Sequence, residues 1–268
     1  MSEASTGGAG PVESIEVLLD VTDAVATITL NRPAKLNTMT PAMGRALRRL
    51  VDKINDDDSI RVVVLTGTGK RAFSAGSDVK VLADYGSNWQ LRNRVDYARM
   101  LWSVRKPVIA KIRGYCIGGG LELALMSDIR VGDETASFAA GEIKLGWHGG
   151  AGNTQLLPRV MSTGRSLAML LTGDAIDART AHHWGLLDYL LDSAGLDTFV
   201  ADLAARIARN APIAAQLAKH LVRVAQSTSL EVGLAYENDT FAYCFTTADA
   251  AEGQKAFSEK RPPEFRGR

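Results

Sequence analysis

Five short runs in the first half of the chain, IEVLL, VATITL, RVVVLTG, KPVIAKI and DIRVG, are dense in β-branched residues. Such runs predict buried strands of a largely parallel sheet, because a strand covered on both faces loses the alternation of apolar and polar positions. Between them the apolar period lengthens to that of a helix. TPAMGRALRRLVDKINDD opens with Thr40 as a cap and Pro41 in the first turn, and Met43, Leu47, Leu50, Val51 and Ile54 fall on one face. From about residue 162 onward, strand patterns nearly vanish. LDTFVADLAARIARN, PIAAQLAKHLVRVAQ, SLEVGLAYENDTFAYCF and TADAAEGQKAFSEK read as successive amphipathic helices.

The pattern therefore predicts an α/β core over residues 14–195 followed by a helical region over 196–268. Residues 1–13 are rich in Gly, Ser and Thr and are expected to be disordered. Helices that extend past a finished core need a surface to bury against. Either they fold back onto their own body or they pair with another copy of the chain, and the expectation here is self-association.

Composition narrows the function classes. The 268 residues carry 31 basic and 30 acidic side chains, a net charge of +1, so no bulk field directs the protein to nucleic acid or anionic membrane. No apolar run reaches the roughly 18 residues of a membrane span. The N-terminal stretch has no apolar signal core and no arginine, which leads to the expectation of a cytoplasmic protein. Cys116 and Cys244 form no CxxC, and His148, His182, His183 and His220 show no ligand spacing, so no metal site is expected.

Glycine-rich turns are the first sign of chemistry. LTGTGKRAFSAGSD lacks the phosphate-loop spacing, and GYCIGGGLE lacks a dinucleotide fingerprint, so nucleotide binding by either device is not expected. Each segment nevertheless follows a strand, where glycine lets a ligand approach backbone N–H groups. Two tight turns would explain the glycines equally well. Glu122 tips the balance, because a helix starting near Gly118 brings this acid to the face beside its own mouth, among Leu and Ala, where burial raises a carboxyl pKa. A second acid, Glu142, follows in FAAGEIKLG, beside another glycine cluster at Gly149, Gly150 and Gly152. Two carboxylates next to anion-stabilising amides suit proton transfer beside a thioester carbonyl: one takes a proton, the other gives one, and the amides hold the enolate oxygen.

LNRPAKLNTM, FSAGSDVK, KPVIAKIRGYCIGGGLELALMSDIRVG, FAAGEIKLG, GAGNTQLLPR and LTGDAIDARTAHHWGLLD together resemble the enoyl-CoA hydratase/isomerase (crotonase) superfamily. The likeness runs from Ile15 to Lys260 and implies a spiral of ββα units with a C-terminal helical oligomerisation region. It also implies a lyase that adds water across the double bond of a 2-enoyl-CoA. The substrate carries its own coenzyme A, and no further cofactor is expected. By this resemblance the amides of Ser77 and Gly119 form the oxyanion hole. Glu122 corresponds to the carboxylate that activates water, and Glu142 to the acid that protonates C2. Gly150 helps to position the water, while Lys35 and the stretch Ser77, Asp78, Val79 and Lys80 hold the CoA portion. Homotrimers or dimers of trimers are the implied assembly.

Two features depart from the family pattern. A proline gives way to Gly149 and a glycine to Asn153, and the bulky pair Trp147 and His148 precedes them. That pair either reshapes the acyl pocket or lies at a surface or interface. Isomerisation, or another enolate reaction such as C–C cleavage, is the alternative on the same scaffold. The presence of both glutamates favours hydration, since isomerases often keep only one.

Overall fold

The computed structural model describes residues 16–82 and 85–268. The segment 1–13, expected to be disordered, lies outside the described residues.

Ten strands form two sheets among the described residues. They are β1 (Val17–Thr22), β2 (Val25–Leu30), β3 (Val62–Gly67), β4 (Ala72–Ser74), β5 (Val108–Ile112), β6 (Tyr115–Ile117), β7 (Ile129–Asp133), β8 (Ser137–Ala139), β9 (Ile176–Asp177) and β10 (Tyr189–Leu191). The larger sheet has the order β1-β2-β3-β5-β7-β10, antiparallel only in the β1–β2 hairpin. The smaller has the order β4-β6-β8-β9, with β4, β6 and β8 parallel.

The apolar runs become the central strands of the larger sheet because both faces are covered. In β3, Val63 and Leu65 join the main core between the sheets, while Val62 and Val64 face the other way. That outer face is closed by the helix Leu196–Ala208, whose Leu196, Val200, Leu203 and Ala204 pack on Val62, Val64, Ile109 and Val131. This helix, placed by its sequence pattern in the C-terminal region, is part of the core packing.

The helix Pro41–Asp56 begins as its sequence suggests, with the Thr40 side chain accepting from the Met43 N–H at 3.2 Å. Its apolar face, including Met43, Leu47, Val51 and Ile54, is buried in the main core. The short strands β4, β6 and β8 decide the site. Each runs directly into one glycine motif: Ser74 into Ala75-Gly76-Ser77, Ile117 into Gly118-Gly119-Gly120, Ala139 into Ala140-Gly141-Glu142. Parallel pairing puts the three C-terminal ends side by side, the place where open α/β sheets present their ligand crevice.

Past the core, the helices Pro212–Ala225 and Leu230–Phe245 bury none of their residues. Docking relies on polar anchors: Lys219 Nζ reaches Asp128 Oδ2 at 2.7 Å, and the Arg223 guanidinium stacks over Trp102 at 3.9 Å. Leu230, Val232, Leu234, Phe241 and Phe245 stay exposed.

Candidate active site

The three consecutive glycines of GYCIGGGLE are each required for a different reason. Gly118 has φ +57°, a left-handed conformation that favours glycine, and its carbonyl accepts the Glu122 N–H at 3.0 Å to start the helix Gly119–Met126. A Cβ on Gly119 would strike the Tyr97 hydroxyl and lie 3.3 Å from Gly76 Cα, and one on Gly120 would collide with the Ser74 carbonyl. The middle loop is thus wedged against the β4 loop. The amides of Ser77 and Gly119 have no acceptor among the described residues. Two unsatisfied N–H groups, one of them at a helix N-terminus, are donors of the kind that can receive an anion.

Glu122 lies one turn into that helix and is only 4% exposed. Its Oε1 accepts the Ala151 N–H at 2.7 Å. Burial pushes its pKa up to about 7; the backbone N–H groups of Ala151 and Asn153 pull the other way, and the negative charge of Glu142 adds to the rise. Such a carboxylate is poised to exchange a proton near neutral pH.

Glu142 sits in the short 3₁₀ turn Gly141–Leu145 after β8. Burial also raises its pKa, against a hydrogen bond from the Asn153 carboxamide. Asn153 Nδ2 donates to Glu142 Oε1 at 3.0 Å, and the Glu142 carboxyl packs on Gly118, where an added Cβ would lie 3.4 Å from Oε1. Asn153, the departure from the family glycine, is therefore a direct neighbour of the acid.

These groups share one cavity of about 640 Å³. Ser77, Val79, Gly119, Glu122, Glu142 and Gly150 all line it, as do Trp147 and His148, which places the bulky pair in the pocket wall. The Gly150 carbonyl is gripped by Arg94 Nη2 at 3.1 Å. Lys35 and Lys80 are exposed and are not lining residues. Asp78 is held within the protein. Its N–H donates to Met39 O, its carbonyl accepts from Val81 and Leu82, and its carboxylate pairs with Arg32 at 3.4 Å. These bonds brace the loop, and Asp78 is not among the residues that line the cavity.

The structure adds Tyr97, Arg94, Asp96 and Ala151 to the lining. Nothing in the sequence marked them: Ala151 contributes only its backbone, and Tyr97 is one aromatic residue in an ordinary helical pattern, RVDYARMLW. The crowding at Gly119 was the missing clue, and it exists only in three dimensions.

A family model described as enoyl-CoA hydratase/isomerase matches residues 20–268. The chain belongs to that family. Among curated relatives, the family member called 2,3-dehydroadipyl-CoA hydratase of Escherichia coli is 38% identical over 94% of this chain and 99% of its own. The (E)-benzylidenesuccinyl-CoA hydratase of Thauera aromatica is 36% identical over 94% of this chain and 99% of its own. The solved enoyl-CoA hydratase of Bacillus anthracis superposes with a TM-score of 0.90 at 36% identity, covering 94% of this chain and all of that one. The fold is the crotonase fold of that family.

Proposed function

We propose that the protein is an enoyl-CoA hydratase that adds water to a 2-enoyl-CoA to give the 3-hydroxyacyl-CoA. The observation that carries this reading is the meeting of two buried carboxylates and two unsatisfied amides on one cavity. Water approaches C3 of the substrate, and Glu122 takes its proton as the C–O bond forms. The π electrons move toward the thioester, whose oxygen gathers charge opposite the Ser77 and Gly119 amides. Glu142 then delivers a proton to C2, and the enolate electrons form the new C–H bond. A pKa near 7 keeps Glu122 an effective base without locking its charge.

The segment carrying Lys35 runs beside the Ser77 loop, tied by Ala75 N–H to Leu36 O and Met39 N–H to Gly76 O. Lys35 and Lys80 are thereby on hand for the phosphates of CoA, with Val79 against the pantetheine arm. The chemistry asks for no cofactor beyond the CoA of the substrate. Exposed Leu230, Val232, Phe241 and Phe245 support assembly into trimers, or dimers of trimers, through the C-terminal helices. No helix among the described residues is long and apolar enough to cross a membrane. A cytoplasmic enzyme fits the two free thiols, Cys116 and Cys244.

The test is the loss of enoyl-thioester absorbance with short, long, branched and aromatic 2-enoyl-CoAs. Hydration of at least one of them, abolished in Glu122→Gln, supports the reading. No absorbance loss across the panel overturns it.

A further inference from the structure

The cavity contains a pair of hydroxyls that the proton transfers above leave unused. Ser77 Oγ and Tyr97 Oη are 2.7 Å apart. Tyr97 opens the helix Tyr97–Trp102, whose first turn is fixed by the Arg99 N–H donating to Asp96 Oδ1 at 3.0 Å. Its ring packs on the main core, and the residue lines the cavity. The hydroxyl also lies against Gly119, since a Cβ there would collide with it. One oxygen thus stands beside both residues whose amides lack acceptors.

The two hydroxyls carry two protons, and the bond between them uses one. The other has no acceptor among the described residues. A phenol is a far stronger acid than an alkyl hydroxyl, so the phenol is the better donor to a developing anion, with serine donating to it. We propose that the Tyr97 hydroxyl is a third donor to the thioester oxygen, completing the oxyanion hole begun by the Ser77 and Gly119 amides, with the Ser77 hydroxyl orienting it. The proton is shared as a hydrogen bond and is not transferred. Burial, reinforced by the Glu122 charge, pushes the phenol pKa upward, so Tyr97 keeps its proton throughout the working pH range. A fixed donor in a site shielded from water stabilises charge that appears only as the reaction proceeds.

This assignment rests on the hydratase reading for where the substrate lies, and the experiment separates the two. Tyr97→Phe keeps the ring and removes only the oxygen. Its kcat for the best 2-enoyl-CoA should fall on the order of 10²-fold, the scale for losing one oxyanion donor, with KM changed far less. Butanoyl-CoA labelled with ¹³C at the carbonyl binds without reacting, and its resonance reports polarisation directly. The downfield shift on binding should shrink in Tyr97→Phe. Ser77→Ala, which keeps the Ser77 amide but frees the phenol, should show a smaller loss and a smaller reduction of the shift. An unchanged carbonyl shift in Tyr97→Phe overturns the proposal. If wild type hydrates no enoyl-CoA yet the shift still depends on Tyr97, the hydratase reading fails and the three-donor hole stands.

Discussion

Asn153 Nδ2 donates to Glu142 Oε1 at 3.0 Å, and the remaining oxygen of each side chain is buried without a partner among the described residues. The bond favours the ionised acid and so opposes the rise that burial imposes. Asn153→Ala should let the Glu142 pKa climb further. In the proposed mechanism Glu142 holds a proton for C2, so the alkaline limb of the kcat profile should move to higher pH. A profile of hydration rate against pH reads this directly. An unmoved limb would separate Asn153 from the acid's titration.

Glu122 sets the other limb. A base works only when ionised, so kcat/KM should rise with pH and level off above about 7. In Glu122→Gln this limb should vanish and turnover should fall by roughly 10²–10⁴-fold. Near-normal turnover would remove Glu122 from the mechanism.

The same burial makes Glu122 a stability liability. Its pKa rises from 4.5 to about 7 on folding, so between these values the folded protein holds a proton that the unfolded chain has released. Stability is therefore fully present below the unfolded pKa and is lost as pH rises through the folded one, by on the order of 3 kcal/mol. Glu122→Gln should melt several degrees above wild type at pH 8, with the gap closing at pH 4. Equal gaps at both pH values would contradict a desolvated carboxylate.

Gly119→Val tests the close approach behind the oxyanion hole. The new Cβ meets the Tyr97 hydroxyl and sits 3.3 Å from Gly76 Cα, so the two loops must part. Displacing a donor should lower kcat by about 10²–10³-fold and weaken binding of the CoA ester. Melting temperature and kcat measured on one sample decide the matter. A protein that is less stable but fully active would show that glycine serves the turn alone.

Charge placed on the exposed apolar face of Leu230–Phe245 should block the proposed assembly. Leu234→Asp with Phe241→Asp is expected to sediment as a monomer with an intact core, because both side chains are exposed, lie two turns apart on one helix face, and are outside the core clusters. An unchanged oligomer would move the interface elsewhere.

Composition and periodicity were enough for the α/β core, the helical C-terminal region and the helix Pro41–Asp56 with its Thr40 cap. These follow from local rules: buried strands need apolar residues on both faces, and a cap needs only its own first turn. The glycine motifs with Glu122 and Glu142 were legible for a related reason, since few other pressures put consecutive glycines and a lone acid into an apolar helix. What joined them was not. The three-residue strands β4, β6 and β8 are too short to show a period, yet their parallel pairing brings residues 77, 119 and 142 together. Only the tertiary structure placed the Leu196–Ala208 helix on the sheet, paired Asp78 with Arg32, and set Trp147 and His148 into the cavity wall. It also delivered Tyr97 to Ser77 and Gly119. These outcomes depend on which surfaces pack across long sequence separations, and a linear pattern of apolar and polar residues specifies what will be buried but not against which partner.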